Sequence, residues 1–171
     1  MQIPLVITIL GPDKPGLVKT LSETLNSFQA NWSESRMSHL AGKFAGLLQV
    51  SVPEEQVEAL TTALQKLQSD SFQIQIEQSD QPASHPPTKT LELELLGQDR
   101  PGIIHDITQQ LAHLNVNIEA LESEVKEASM SGGILFCANL TLSLPEGISS
   151  EAVQETLESM SDQFMVDLKF G

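Results

Sequence analysis

Two glycine-centred turns are the residues of this chain best equipped for chemistry. Leu10-Gly11-Pro12-Asp13-Lys14-Pro15-Gly16-Leu17-Val18 returns as Leu96-Gly97-Gln98-Asp99-Arg100-Pro101-Gly102-Ile103-Ile104. In each, proline presets the backbone for a first helical turn, and glycine lets a ligand or another backbone come close. A helix that starts here leaves its first amides without intrahelical partners and carries partial positive charge, so it attracts a carboxylate. Gly11, Gly16 and Leu17 in the first copy, with Gly97, Gly102 and Ile103 in the second, therefore frame candidate sites for a small anion. Asp13 and Asp99 stand where an N-cap would and are expected to accept from those amides, direct ligand contact being the alternative. Asn31 and Asn117 follow at a shared offset and offer both a donor and an acceptor to the charged ends of a free amino acid. Helix C-capping or a turn is an equally open role for either asparagine.

The elements that must position these residues also come twice. After each glycine turn the apolar residues fall at helical spacing, Leu17, Val18, Leu21, Leu25 and Phe28 in one copy and Ile103, Ile104, Ile107, Leu111 and Leu114 in the other. A β-rich run precedes each turn, Ile3 to Leu10 or Leu91 to Leu96. Each helix ends near Gln29-Ala30-Asn31 or Asn115-Val116-Asn117. A hairpin follows: Trp32 to Ser38 with Phe44 to Val52, or Ile118 to Val125 with Leu135 to Leu144, closed by Pro53 or Pro145. Second helices carry Val57, Leu60, Leu64 and Leu67, or Val153, Leu157 and Met160. Last strands run Phe72 to Glu77 and Phe164 to Phe170.

The order β-α-β-β-α-β predicts an α+β chain of two ferredoxin-like domains, each an antiparallel four-stranded sheet with helices on one face. The domains are placed at 1–78 and 90–171, joined by a proline-rich linker at 79–89 that has almost nothing to bury. The second hairpin is about six residues longer, the surplus lying around Glu127 to Gly133, and its tip is expected to be mobile.

Composition narrows the partners. Among 171 residues, 9 Lys and Arg face 23 Asp and Glu, a net charge of -14. A nucleic-acid backbone or an anionic membrane is repelled by most of such a surface, so neither is an expected direct partner. The lone Cys137 lies in an apolar run and reads as a buried thiol acting as a small hydrophobe. Without a disulfide framework, a signal-like start or an apolar stretch long enough to span a bilayer, the chain is expected to be soluble and cytoplasmic.

Gly-x-Asp-[Lys/Arg]-Pro-Gly-[Leu/Ile], followed after the helix by Asn-[Trp/Ile], resembles the ACT domain, a regulatory amino-acid-binding module. Two such domains without an attached catalytic or DNA-binding domain resemble the glycine cleavage system transcriptional repressor family. The resemblance implies pairing of ACT domains and a homodimer, with an amino acid bound near the glycine turn and touched by the matching asparagine. It also implies repression through binding to a transcriptional activator protein, with glycine relieving the block. Trp32, where the second copy has Ile118, is expected to narrow or fill the first pocket. If the second site is the better formed, Asn117→Ala should weaken binding more than Asn31→Ala.

Catalysis has little support in the sequence. His39, His85, His105 and His113 lack metal-ligand spacing, and one cysteine makes no zinc cluster. His105 with Asp106 reads as an exposed helical face, and Ser33, Ser35 and Ser38 lack a spaced base. Glu119, Glu122, Glu124 and Glu127 read as solvated rather than as an acid and base pair. Acylphosphatase shares the element order but needs an arginine cradle, of which Lys14 and Arg100 are only rough counterparts. RNA-binding domains of this order stack bases on aromatic residues, and here there is no tyrosine and the charge is wrong. No enzyme activity, metal or cofactor is expected. A ligand-free ACT-type association module is the alternative to an amino-acid sensor.

Overall fold

The structure is a computed structural model describing residues 1–79, 89–130, 132–160 and 164–169. The chain divides into two compact units, Met1–Ser84 and His85–Gly171. Most of the proposed linker, His85, Ser131 of the hairpin tip and Phe170 lie outside the described residues.

In the first unit the order is β1 (Gln2–Pro12), α1 (Leu17–Ser27), β2 (Asn31–Leu40), β3 (Lys43–Pro53), α2 (Val57–Lys66) and β4 (Gln73–Gln78). The second repeats it with β5 (Lys89–Gln98), α3 (Ile103–His113), β6 (Asn117–Glu127), β7 (Ile134–Leu144), α4 (Ser150–Glu158) and β8 (Met165–Lys169). The sheets are ordered β2-β3-β1-β4 and β6-β7-β5-β8, and every pairing is antiparallel. These are two ferredoxin-like units of the α+β class.

Strand alternation explains why the helices lie on one face. In β1, Leu5, Ile7 and Ile9 are buried while Thr8 and Leu10 are exposed; in β7, Phe136, Ala138, Leu140 and Leu142 are buried. The helical stripes meet these rows through Leu21, Leu25, Leu60 and Leu64 in one unit and Ile107, Leu111, Val153 and Leu157 in the other. Each such fully buried aliphatic side chain contributes roughly 1.5–3 kcal/mol relative to exposure. The stripe is better covered in the second unit: Ile104 packs on the core, whereas its counterpart Val18 is 40% exposed.

The same alternation corrects the reading of Cys137. It stands between Phe136 and Ala138, both on the helix side, so period two turns its thiol to the open face, where it is half-buried rather than core. The extra length of the second hairpin lies where expected. β2 and β3 turn through Ala41 and Gly42, both with positive φ, while β6 and β7 are joined by Ala128 to Gly133. A bulge interrupts the hairpin at the same place in both units, between Trp32 and Glu34 and between Ile118 and Ala120.

Candidate functional site

Each glycine turn ends in a left-handed residue that is itself the helix N-cap. Gly16 has φ +89° and Gly102 φ +82°, where a β-carbon would meet nothing within 4 Å; the demand for glycine is conformational and the space beside it is open. The first intrahelical bonds run from Thr20 N–H to Gly16 C=O (2.9 Å) and from Asp106 N–H to Gly102 C=O (3.0 Å). The amides of Leu17, Val18 and Lys19 thus precede the helical ladder of α1, as those of Ile103, Ile104 and His105 precede that of α3.

The capping role expected of Asp13 and Asp99 is not what forms. Neither helix has a side-chain cap, because the glycine three residues later occupies the N-cap position. The aspartates instead fasten the turn to the neighbouring hairpin: Asp13 N–H donates to Gly42 C=O (3.1 Å) and Asp99 N–H to Ile134 C=O (2.9 Å). Gly11 and Gly97 are likewise packing residues. A β-carbon there would lie 2.7 Å from the Phe72 ring or 2.6 Å from the Phe164 ring, so each glycine admits an aromatic lid from the far end of its unit.

Nor do the asparagines cap their helices. Left-handed Gln29 and Asn115 end α1 and α3, with Ala30 N–H bonding Leu25 C=O and Val116 N–H bonding Leu111 C=O. Asn31 and Asn117 open the next strand and are exposed. Register separates them from the turns: Asn31 lies opposite Ser51, but Gly11 lies opposite Phe44, seven residues along β3. At ~3.4 Å per residue that is about 24 Å. Within one unit, no free amino acid touches both groups.

The two turns differ in charge. In the second, Arg100 Nη2 bonds Asp106 Oδ2 at 2.6 Å and His105 Nδ1 lies 3.1 Å from Asp106 Oδ1, which spans the turn and the first turn of α3. Arg100, then His105, holds the Asp106 carboxyl below the usual aspartate range. In the first turn Thr20 stands in place of Asp106, the opening turn of α1 has no acidic residue, and Lys14 and Lys19 flank it. His105 and Asp106 therefore form part of an ion-paired clamp at an exposed helix end.

A pocket of about 460 Å3 opens beside Asn31, lined by Ser22, Glu23, Asn26, Ala30 and Trp32. Trp32 forms a wall while also packing on the core, so it bounds this pocket rather than filling it. Asn117 has a nearer claim on its amide, donating from Nδ2 to Glu119 Oε1 at 2.7 Å. A larger groove of about 770 Å3 runs along the exterior of α1 and α2 past Thr24, Phe28, Ala59 and Lys66, and holds none of the turn residues or asparagines. Ser22, Glu23 and Asn26 were not singled out by the sequence; their spacing on α1, ahead of Asn31, is the signal that could have found them. Among the described residues no group of acidic, histidine and cysteine side chains is arranged to hold a metal ion. No described helix is long and apolar enough to cross a membrane.

Paired ferredoxin-like units with a left-handed glycine between β1 and α1 define a class, and family comparison gives it a name. The chain belongs to the ACT-domain family, its first unit matching over residues 4–78 and its second over residues 91–141. Among solved structures, an unknown protein from Galdieria sulphuraria is similar at TM-score 0.84 and 28% identity, over 99% of this chain and 98% of that one. A candidate glycine cleavage system transcriptional repressor is similar at TM-score 0.71 and 18% identity, over 100% and 99% of the two chains, a likeness of fold. No curated protein is similar enough to count as a match.

Proposed function

We propose that this protein is a non-catalytic regulator that binds a small amino acid and passes the signal to a protein partner. The observation that carries the reading is the left-handed glycine turn present twice, with helix amides after it that lie outside the helical ladder, of which only Ile103 N–H in the second copy bonds back within the turn, to Arg100 C=O at 3.4 Å, and an asparagine beginning the following strand. A ligand carboxylate suits the amides, and an asparagine oxygen suits the ammonium. Since the two groups stand about 24 Å apart within a unit, a complete site needs a second ACT unit, and a homodimer is the simplest source of one. The unclamped turn and the pocket at Asn31 both favour the first unit as the tighter binder. Glycine as ligand and a transcriptional activator as partner are the specific forms suggested by the repressor-like relative.

A ligand-free association module is the second reading, and one observation favours it: Phe72 and Phe164 account for Gly11 and Gly97 without any ligand. Melting curves with each of the twenty amino acids at millimolar concentration separate the two. A ligand at 100 times its dissociation constant adds about 2.7 kcal/mol to the folded state. A shift with glycine or another small amino acid is the expected result; no shift with any of them leaves the association module.

A further inference from the structure

The pocket at Asn31 coincides with a helix end. It lies against the last turns of α1 and the first residues of β2, and so at the negative pole of the α1 dipole. A basic residue in the last turn would offset that pole, and α1 has none there. What the pocket holds instead is further electron density: the Glu23 carboxylate, the amide oxygens of Asn26 and Asn31, the Ser22 hydroxyl and the Trp32 indole. The one basic residue of α1, Lys19, reaches Glu23 only at 3.5 Å with both side chains mostly exposed, and an ion pair of that kind yields readily to a competitor. The second unit is built differently at the equivalent positions. Gln109, Ala112 and Ile118 replace Glu23, Asn26 and Trp32, and His113 stands in the last turn of α3. The carboxylate beside Asn117 is already engaged, Glu119 accepting from the Asn117 amide at 2.7 Å.

We infer that the pocket at Asn31 is a subsite for a primary ammonium group, with Glu23 as its counter-charge and Trp32 as its aromatic wall, and that it belongs to the first unit alone. Indole is the aromatic system that holds a cation best, and the carboxylate and the helix pole act in the same direction. A carboxylate is turned away by both. The subsite therefore fixes which way round an amino acid binds: ammonium in this pocket, carboxylate toward the amides of a glycine turn on another unit. It also sets the ligand class, because an N-acylated amino acid or a keto acid offers the pocket no cation. The inference rests on the sensing reading above for the carboxylate end of the ligand, and adds Glu23 and Trp32 as the residues that select its other end.

Trp32 is the single tryptophan of the chain and there is no tyrosine, so fluorescence excited in the indole band reports on this pocket alone. The full chain is titrated at constant ionic strength with glycinamide, which has the ammonium without the carboxylate, and with N-acetylglycine, which has the carboxylate without the ammonium. Glycinamide is expected to change the Trp32 emission saturably and N-acetylglycine to leave it unchanged. Glu23→Gln, which replaces an exposed carboxylate by a neutral amide, should weaken glycinamide binding about fivefold, the upper worth of an exposed ion pair. Its ligand-free melting curve should stay in place. An equal response to N-acetylglycine, no response to either compound, or undiminished glycinamide binding in Glu23→Gln would each overturn the proposal. Melting shifts with free amino acids on the same samples keep the two readings apart. A shift that Glu23→Gln leaves untouched sinks the ammonium subsite alone, and a saturable glycinamide response without any amino-acid shift sinks the sensing reading alone.

Discussion

The two ACT units share a backbone and have parted in charge. Both turns place a left-handed glycine at the helix start, both tie an aspartate amide to a hairpin carbonyl, and both close over an aromatic ring. The residue four positions past the glycine is Thr20 in one and Asp106 in the other, and only the second turn is bridged by an arginine. Features that set the path of the chain have been kept through the duplication, while features that set the local potential have not. A carboxylate approaching the first turn meets Lys14, Lys19 and free helix amides; at the second it meets Asp106.

The shared part of the comparison is tested by the largest effect. Gly11→Ala and Gly97→Ala should each cost about 1–3 kcal/mol in urea unfolding, since the aromatic ring above must shift. Similar losses in both copies would confirm one packing solution used twice; a harmless change in one would break the equivalence. Next in size, Asn31→Ala is expected to weaken amino-acid binding about tenfold, as loss of a hydrogen bond to a charged group does. Asn117→Ala should cost less, its amide being engaged by Glu119. Calorimetry in the reverse order would return the better site to the second unit.

Exchanging the divergent residue sharpens the contrast further. Thr20→Asp should weaken carboxylate binding at the first turn by about two- to fivefold, and Asp106→Thr should strengthen it at the second by a similar factor, as expected for one charge at a helix N-terminus. Unchanged affinities would mean that the turns are electrostatically equivalent for the ligand. The smallest effect is in pH. With its carboxyl held low by Arg100 and then His105, Asp106 favours the folded turn above the ordinary aspartate range and loses that contribution as the pH falls through its own depressed value. An NMR titration should find the Asp106 midpoint below that of a free aspartate and returned toward it by Arg100→Ala.

Element order was legible because apolar spacing is local: Leu17, Leu21 and Leu25 announce a helix with no knowledge of what they pack on. What escaped depended on partners distant in sequence or on the sign of a dihedral angle. Gly11 reads as a ligand-facing glycine until Phe72 is seen above it, a contact made only when β1 and the approach to β4 are brought together. Asp13 has the composition of an N-cap, yet the left-handed Gly16 begins the helix three residues later. The run around Cys137 is apolar throughout, so its parity on the strand emerged only with the register of β7. Asn31 and Gly11 look like members of one constellation until the pairing with β3 sets them at opposite ends of the sheet.

The bonds from Asp13 to Gly42 and from Asp99 to Ile134 make each turn and hairpin a single mechanical piece. In the first unit the bond lands on the hairpin's own two-residue tip, so there is no arm beyond the fastening point. In the second it lands at the root of a longer loop, whose Met130 is fully exposed. The first turn is thus fastened at the very end of its hairpin, and the second at the first residue of β7, one strand end removed from the connection that follows β6.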